Sequence, residues 1–517
     1  MNRPTRIAAC AAAALALVLS SPAARAADSG IPPRPEQLQF PRLDYTPPEA
    51  ENYRVSLRGG MVAYLVPDRA LPLVTITVLM RIGPDLDPLG KQGLAQGTMY
   101  LLTRSGTAGR TAAQLEDRVA FLGAQLQSQM GGGGGGFGGP GIPVGPSESF
   151  ASINLLSKDL DEGLGILTDC LKSAAFEEDR VTLARQQLLQ TMQQRNDDSG
   201  DIESREWGIL INGEGHWSNR YATRASVEAI TREDMVAFLR RYLGPKNMLL
   251  AVSGDFDRAA MIQKLEKVFA SWPTPGERPG PPAGPAEPTA AGWFLVDKDV
   301  NQGRVSIGLR ALDRYDPDFF PGLLMNDVLG GGGFSSRLVN RIRSDEGLAY
   351  SVRSSLDAGA YYPGPWRTAF QSKVRSVAYA TSIAFEEIRK IREAPVTDEE
   401  LELAKSRRIE GLPAFFETAG AIANVLAVDE LTGRYARDPS YYATYRDRVR
   451  AVSVADVQRA ARRLLDPAKM TVLMVGNAAD MLQGDPKYPV RLTTLAGGEP
   501  KRLPLRDPMT MKPIANP

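Results

Sequence analysis

Histidine is almost missing from this chain: His216 is the single imidazole in 517 residues. A centre built on several histidines is excluded, and a Ser-His triad has one poorly placed candidate. Cysteine is nearly absent as well, with Cys10 and Cys170 as the two examples. Cys10 falls in a cleavable N-terminal segment, so Cys170 is left alone and no internal disulfide is expected. Neither sign of charge is in excess. Lys plus Arg number 61 against 60 for Asp plus Glu, which removes the basic footprint of a nucleic-acid or anionic-membrane partner. Beyond the N-terminus no run of 18 apolar residues occurs, so no membrane span is expected. No serine, cysteine or paired-carboxylate signature stands out.

What is present begins with an export signal. Arg3 and Arg6 precede the apolar run Ile7 to Leu19, and Ala24-Arg25-Ala26 forms a small-x-small site. This predicts a signal peptide over residues 1–26, cut after Ala26, and delivery to a Gram-negative periplasm or to the exterior. Ile7 to Cys10 superficially matches a lipoprotein signal, but no apolar stretch precedes it. Residues 27–50 are rich in proline and polar groups and read as an extended arm. A first domain is expected over 51–270, a proline-rich linker over 271–292, a second domain over 293–480 and a tail over 481–517. The apolar fraction of 43% with 23% charged residues suits a globular protein of this size.

The two domains are repeats of one plan. Thr231, Asp234, Arg240-Arg241, Pro245, Met248 and Gly254 recur as Ser453, Asp456, Arg462-Arg463, Pro467, Met470 and Gly476, each displaced by 222 residues. The shared pattern is a helix capped by Thr or Ser, a proline that ends it, and an apolar strand closing on glycine. In the first half, 55–66 reads as a hairpin around Gly59-Gly60 and Leu73 to Ile82 as a strand. Helices are expected over Gly93 to Thr103, Thr111 to Leu122 and Arg180 to Asp198. The fold class is α+β, with strands packed under helices in each half.

Three segments carry a family resemblance. Gly93 to Leu102 is followed by the helix opening at Arg110, Gly215-His216-Trp217 leads into Arg224 to Asp257, and Leu329 to Leu338 leads into Arg343 to Val352. Together they resemble the pitrilysin/insulinase and mitochondrial-processing-peptidase family of zinc metallopeptidases. The resemblance implies two homologous domains, each an antiparallel-rich sheet packed with helices, forming a half-clamshell. It also implies an inverted zinc motif, His-x-x-Glu-His, whose positions are held here by Gln96, Met99 and Tyr100. The carboxylate ligand expected on a later helix falls at Thr191, or at Gln190 if the register slips by one. A catalytic zinc needs three protein ligands and an open position. An amide, a thioether, a phenol and a hydroxyl do not make that set, so no metal or other cofactor is expected in this chain. His216, in a Gly-rich loop with no second histidine, reads as a structural contact rather than a ligand.

The second half keeps more of the pattern. Arg343 and Tyr350 are seven residues apart, as are the arginine and tyrosine that face the zinc across the cleft in this family. The resemblance implies that Tyr350 donates to the developing oxyanion and Arg343 to a substrate carbonyl. Donors aimed at charge that appears in the transition state contribute roughly 3–4 kcal/mol each. The bland alternative makes Arg343 a solvated charge near a helix end and Tyr350 a strand residue packed on the core. Gly330 to Gly333 reads as a flexible turn entering a helix over Ser335 to Ile342, since no Lys-Ser/Thr follows for phosphate binding. The run Gly131 to Pro146 is either an insertion that reshapes the cleft or a tolerated loop tip. Two functions stay open. One is the non-zinc subunit of a heterodimeric peptidase, in which zinc and its motif belong to a partner of the same family and the substrate is a peptide or unfolded segment. The other is a non-catalytic peptide-binding or scaffolding protein of the cell envelope.

Overall fold

Alternation of apolar residues along β-branched runs builds two sheets in this computed structural model, which describes Leu38 and residues 44–131, 142–270 and 272–515. The predicted signal peptide, about two thirds of the predicted arm and the centre of the Gly131 to Pro146 run lie outside the described residues. The chain divides into units Met1–Tyr45 and Thr46–Pro517, and both sheets belong to the second.

The first sheet contains β1 (Arg54–Ser56), β2 (Val62–Pro67), β3 (Leu73–Met80), β4 (Gln125–Met130), β5 (Ser149–Leu156) and β6 (Met248–Gly254). The second contains β7 (Gly292–Asp297), β8 (Gln302–Leu312), β9 (Ala349–Leu356), β10 (Gly364–Lys373), β11 (Thr471–Gly476) and β12 (Lys501–Leu503). Their orders are β1-β2-β6-β3-β5-β4 and β12-β7-β11-β8-β10-β9. The sheets share a parallel pair, β2 with β6 and β7 with β11, followed by an antiparallel run that ends on an open edge, β4 or β9; the outermost strand on the other side differs, β1 antiparallel to β2 but β12 parallel to β7. The hairpin between β1 and β2 turns on Gly59 and Gly60, whose φ values of 87° and 86° favour glycine.

The helices that position the site are α1 (Leu94–Leu101), α2 (Ala112–Phe121), α3 (Glu178–Gln193), α4 (Ser199–Asn212), α5 (Arg232–Tyr242), α6 (Ala419–Leu431) and α7 (Val454–Leu464). The repeat seen in the sequence is exact at the level of caps. Thr231 and Asp234 form a capping box on α5, and Ser453 and Asp456 form the same box on α7.

The sheets do not bury their faces within their own halves of the sequence. On the first sheet, Ala63, Val78 and Ile153 face a large core built with first-half helices, while Tyr64, Leu79, Phe150 and Leu249 face α6 from the second half. Reciprocally, Ile202, Trp207, Leu210 and Ile211 of α4 cover Phe294, Val296, Leu473 and Val475 of the second sheet. Each exchanged helix is fixed by a glutamate. Glu430 accepts from Arg54 at 2.9 and 3.0 Å and from the Tyr64 hydroxyl at 2.9 Å, while Glu203 pairs with Arg367 at 3.1 Å and accepts from Ser306. Opening the halves would expose both apolar faces, at roughly 25 cal/mol per Å².

Two expected helices differ. The Arg180–Asp198 helix stops at Gln193, because Asp198 caps a new helix by accepting the Gly200 N–H at 2.5 Å, and the turn between them sends α4 to the second sheet. The Ser335–Ile342 helix is instead one 3-10 turn, Gly333–Ser335, followed by a π-wound segment, Val339–Asp345. Its last turn is widened as the Leu348 N–H reaches the Ile342 carbonyl at 2.9 Å, with Gly347 at φ 62° reversing the chain.

The linker and tail are both tied down. Lys246 N–H donates to Pro275 O at 3.0 Å and Glu277 N–H to Arg241 O at 2.7 Å. After β12 the tail crosses to the first half, where Asn196 donates to Arg506 O at 2.8 Å, Arg224 N–H to Met509 O at 2.7 Å, and Met509 packs against Met192, Ala222 and Val227.

Candidate functional site

The helix that would carry a zinc motif is held at its N-terminus by a buried carboxylate. Gly93, at φ 102°, begins α1 without a capping side chain of its own. Asp87 supplies the cap from the preceding loop, accepting Gly93 N–H at 2.8 Å and Ala95 N–H at 2.7 Å. Burial pushes the Asp87 carboxyl up to about 6, against the pull of those two backbone donors. The helix then splits its residues by periodicity. Leu94, Ala95, Thr98, Met99 and Leu101 turn inward, while Gln96 and Tyr100 turn outward.

Gln96 and Tyr100 line a cavity of about 750 Å³ closed by α1, α3, the end of β4 and Tyr221. Thr191 of α3 lines the same cavity, so three of the four degenerate positions come together. Met99 does not join them: it is fully buried in the first core, and its carbonyl accepts from Ser128 Oγ at 2.6 Å. Gln190, the other register, is exposed and does not line the cavity. The donors present do not fit zinc. The Thr191 hydroxyl donates back to Gln187 O at 3.0 Å, and no imidazole, thiolate or carboxylate lines the cavity. Among the described residues no cluster of three His, Cys, Asp or Glu side chains could hold a metal ion.

His216 is a structural contact. Its ring nitrogens meet Ser218 Oγ at 2.7 Å and Ala283 O at 3.1 Å, and it packs beside Trp217 and Tyr362, so it ties the linker to the first half. Burial lowers its pKa. Cys170 is buried in the first core, and burial pushes its thiol up to about 12, which removes it as a nucleophile.

The second half displays its candidates differently. Arg343 lies in the π-wound segment and Tyr350 on the open edge strand β9. The Arg343 guanidinium carbon sits 4.6 Å from the Tyr350 ring centroid and 4.5 Å from that of Phe334. Tyr350 is 85% exposed and Phe334 67%, so neither packs on the core. Neighbouring arginines are tied to acids, Arg337 to Glu400 at 2.6 Å and Arg341 to Glu387 at 3.6 Å. Arg343 has no such acid among the described residues; two aromatic faces hold it, each contact contributing roughly 0.5–1 kcal/mol at an exposed site. Neither Arg343 nor Tyr350 lines the first-half cavity. Phe334 escaped the sequence reading because its contact with Arg343 depends on the π-turn between them.

A family model described as "Peptidase M16 inactive domain" matches residues 229–408. An uncharacterised zinc protease of Mycobacterium tuberculosis is 26% identical over 421 residues, covering 80% of this chain and 90% of the relative. The chain resembles the insulinase/pitrilysin-like zinc proteases, and residues 229–408 match the model of their inactive domain. Among solved structures, the peptidase M16 inactive domain of Pseudomonas fluorescens superposes with a TM-score of 0.70 at 22% identity, covering 82% of this chain and 98% of that one. The periplasmic protease PqqL of Escherichia coli gives a TM-score of 0.64 at 14% identity, covering 85% of this chain but 48% of that one. This insulinase-like protein therefore has the two-sheet architecture of those structures. No single helix among its described residues is long and apolar enough to cross a membrane.

Proposed function

We propose that this chain is the non-zinc subunit of an exported heterodimeric zinc metallopeptidase, presenting Arg343 and Tyr350 to a peptide held by a partner's zinc. The observation that carries the reading is the Phe334-Arg343-Tyr350 cluster, in which a half-buried cation is held between two exposed rings and, among the described residues, neither it nor the phenol is tied to an acid. A protein that only needed to fold gains little from leaving such groups in solvent. The partner supplies the zinc and its ligands; this chain supplies hydrogen-bond donors to the oxyanion and the substrate backbone. The alignment with about half of the PqqL chain supports a complete site assembled from two units of this size. Delivery to the periplasm or exterior follows from the Arg3 to Ala26 signal.

The test is affinity purification of the tagged chain from its native envelope fraction, with bound proteins identified and zinc counted. A stoichiometric partner carrying His-x-x-Glu-His and about one zinc per pair is the expected result. Recovery of the chain alone and metal-free would sink the heterodimer. The second reading, peptide binding without catalysis, is favoured by the first-half cavity, which is sizeable, carboxylate-free and lined by polar groups.

A further inference from the structure

The first-half cavity has a charge character that the loss of zinc ligands does not by itself explain. Among the described residues one charged side chain lines it, Arg185 of α3, and no Asp or Glu does. Arg185 is half-buried and donates one N–H to Ile230 O at 2.9 Å. No carboxylate pairs with it among the described residues, although the chain is as rich in acids as in bases. A second cation stands behind the wall: Arg104 lies 4.6 Å from the Tyr100 ring centroid and spends its donors on the carbonyls of Tyr100 and Ser128. Around Arg185 the cavity offers the carboxamides of Gln96, Gln129 and Gln187 and the hydroxyl of Tyr100, none of which forms a hydrogen bond among the described residues.

Such a set selects by chemistry. An unpaired, partly desolvated guanidinium is complementary to a carboxylate, which it can grip through two parallel N–H bonds. Free carboxamides present both a donor and an acceptor, the complement of a peptide unit. The volume of about 750 Å³ is in the range of sites that enclose a small ligand. We propose that this cavity binds the carboxylate end of a short peptide, with Arg185 gripping the terminal carboxylate and Gln96, Gln129 and Gln187 reading the main chain behind it. The inference deepens the peptide-handling reading above by naming the ligand class, and it requires neither a zinc partner nor turnover.

The experiment is isothermal titration of the purified chain with three probes: the tetrapeptide Ala-Leu-Ala-Ala as its free acid, the same peptide as its C-terminal amide, and amidated Ala-Leu-Ala-Glu. The free acid is expected to bind at least about tenfold more tightly than its amide, the scale of one charge-assisted hydrogen bond. Arg185→Gln should abolish that difference, and Arg185→Lys, which keeps the charge without the fork, should retain part of it. Thermal melts establish that both variants are folded. Equal affinity for acid and amide, no binding of any probe at millimolar concentration, or an acid preference that survives Arg185→Gln would each overturn the proposal. If the amidated glutamate peptide matches the free acid, the chain-end assignment falls in favour of an acidic side chain. A chain that binds free acids yet recovers no zinc-bearing partner leaves this inference standing and sinks the heterodimer.

Discussion

The two halves share the topology of five strands, one capping box and one open edge strand, yet they treat their functional positions in opposite ways. In the first half Met99, at the position the resemblance gives to a catalytic glutamate, is buried in the core, and Gln96, Tyr100 and Thr191 line a cavity with no metal-binding cluster among the described residues. In the second half Tyr350 stands in solvent and half-buried Arg343 is held between its ring and that of Phe334. The contrast teaches that loss of a site is visible as reabsorption into packing, whereas a displayed site keeps polar groups at a cost in solvation and side-chain entropy that packing would otherwise recover.

The largest test of this contrast is Met99→Glu. If the position is now core, a carboxylate there is buried without a partner and should destabilise the fold by roughly 3–5 kcal/mol, read as a shift in the denaturation midpoint. A loss below about 1 kcal/mol would mean that the position still faces an open site. Next comes Tyr350→Phe in the reconstituted complex. Turnover should fall by about 10²-fold, roughly 3 kcal/mol, with the melting temperature and assembly unchanged, because the hydroxyl forms no hydrogen bond among the described residues and its side chain is exposed. Unchanged turnover removes the assigned role.

Asp87 sharpens the first-half side of the comparison through pH. Its folded carboxyl is raised from 3.8 to about 6, so it holds its proton more tightly in the folded chain than in the unfolded one. The stability this contributes is fully present below about pH 3.8 and is lost as pH rises through about 6. Against Asp87→Asn, which has no such titration, the wild-type chain should therefore lose on the order of 2 kcal/mol between pH 4 and 7. Parallel stability curves for the two proteins would show that burial does not control this cap. The smallest effect is expected at Gln96→Ala, within about 0.5 kcal/mol of wild type in a denaturant titration, since an exposed amide with no partner holds nothing. A cost above 1 kcal/mol would reveal a structural role for the old ligand position.

Much of the fold was legible because short-range rules govern it. The Gly59-Gly60 hairpin, the alternation of β3 and the Thr231 and Ser453 caps are each decided within a few residues. The degenerate positions were implied by the family resemblance of their segments, and α1 and α3 do bring Gln96, Tyr100 and Thr191 to one cavity. What escaped was set by distant segments. The break after Gln193 depends on where α4 must dock, and the widened turn carrying Arg343 depends on the Leu348 to Ile342 bond. Phe334 and Arg185 carried no signal in sequence, because one gains meaning from an aromatic contact across a π-turn and the other from the carboxylates that are missing around it.

The sequence by itself determined that this chain has no zinc-ligand set at the expected motif, because residue identity fixes ligand chemistry wherever the backbone goes. It also determined the repeat, since the same caps and strand closures are written twice. Tertiary structure alone decided that each half lends a helix to the other's sheet, that Met99 is core while Gln96 and Tyr100 are not, and that Tyr350 faces solvent with Arg343 beneath its ring. Burial and partnership depend on which surfaces meet in space, and these meetings join residues more than two hundred positions apart, such as Arg54 with Glu430, which no local pattern encodes.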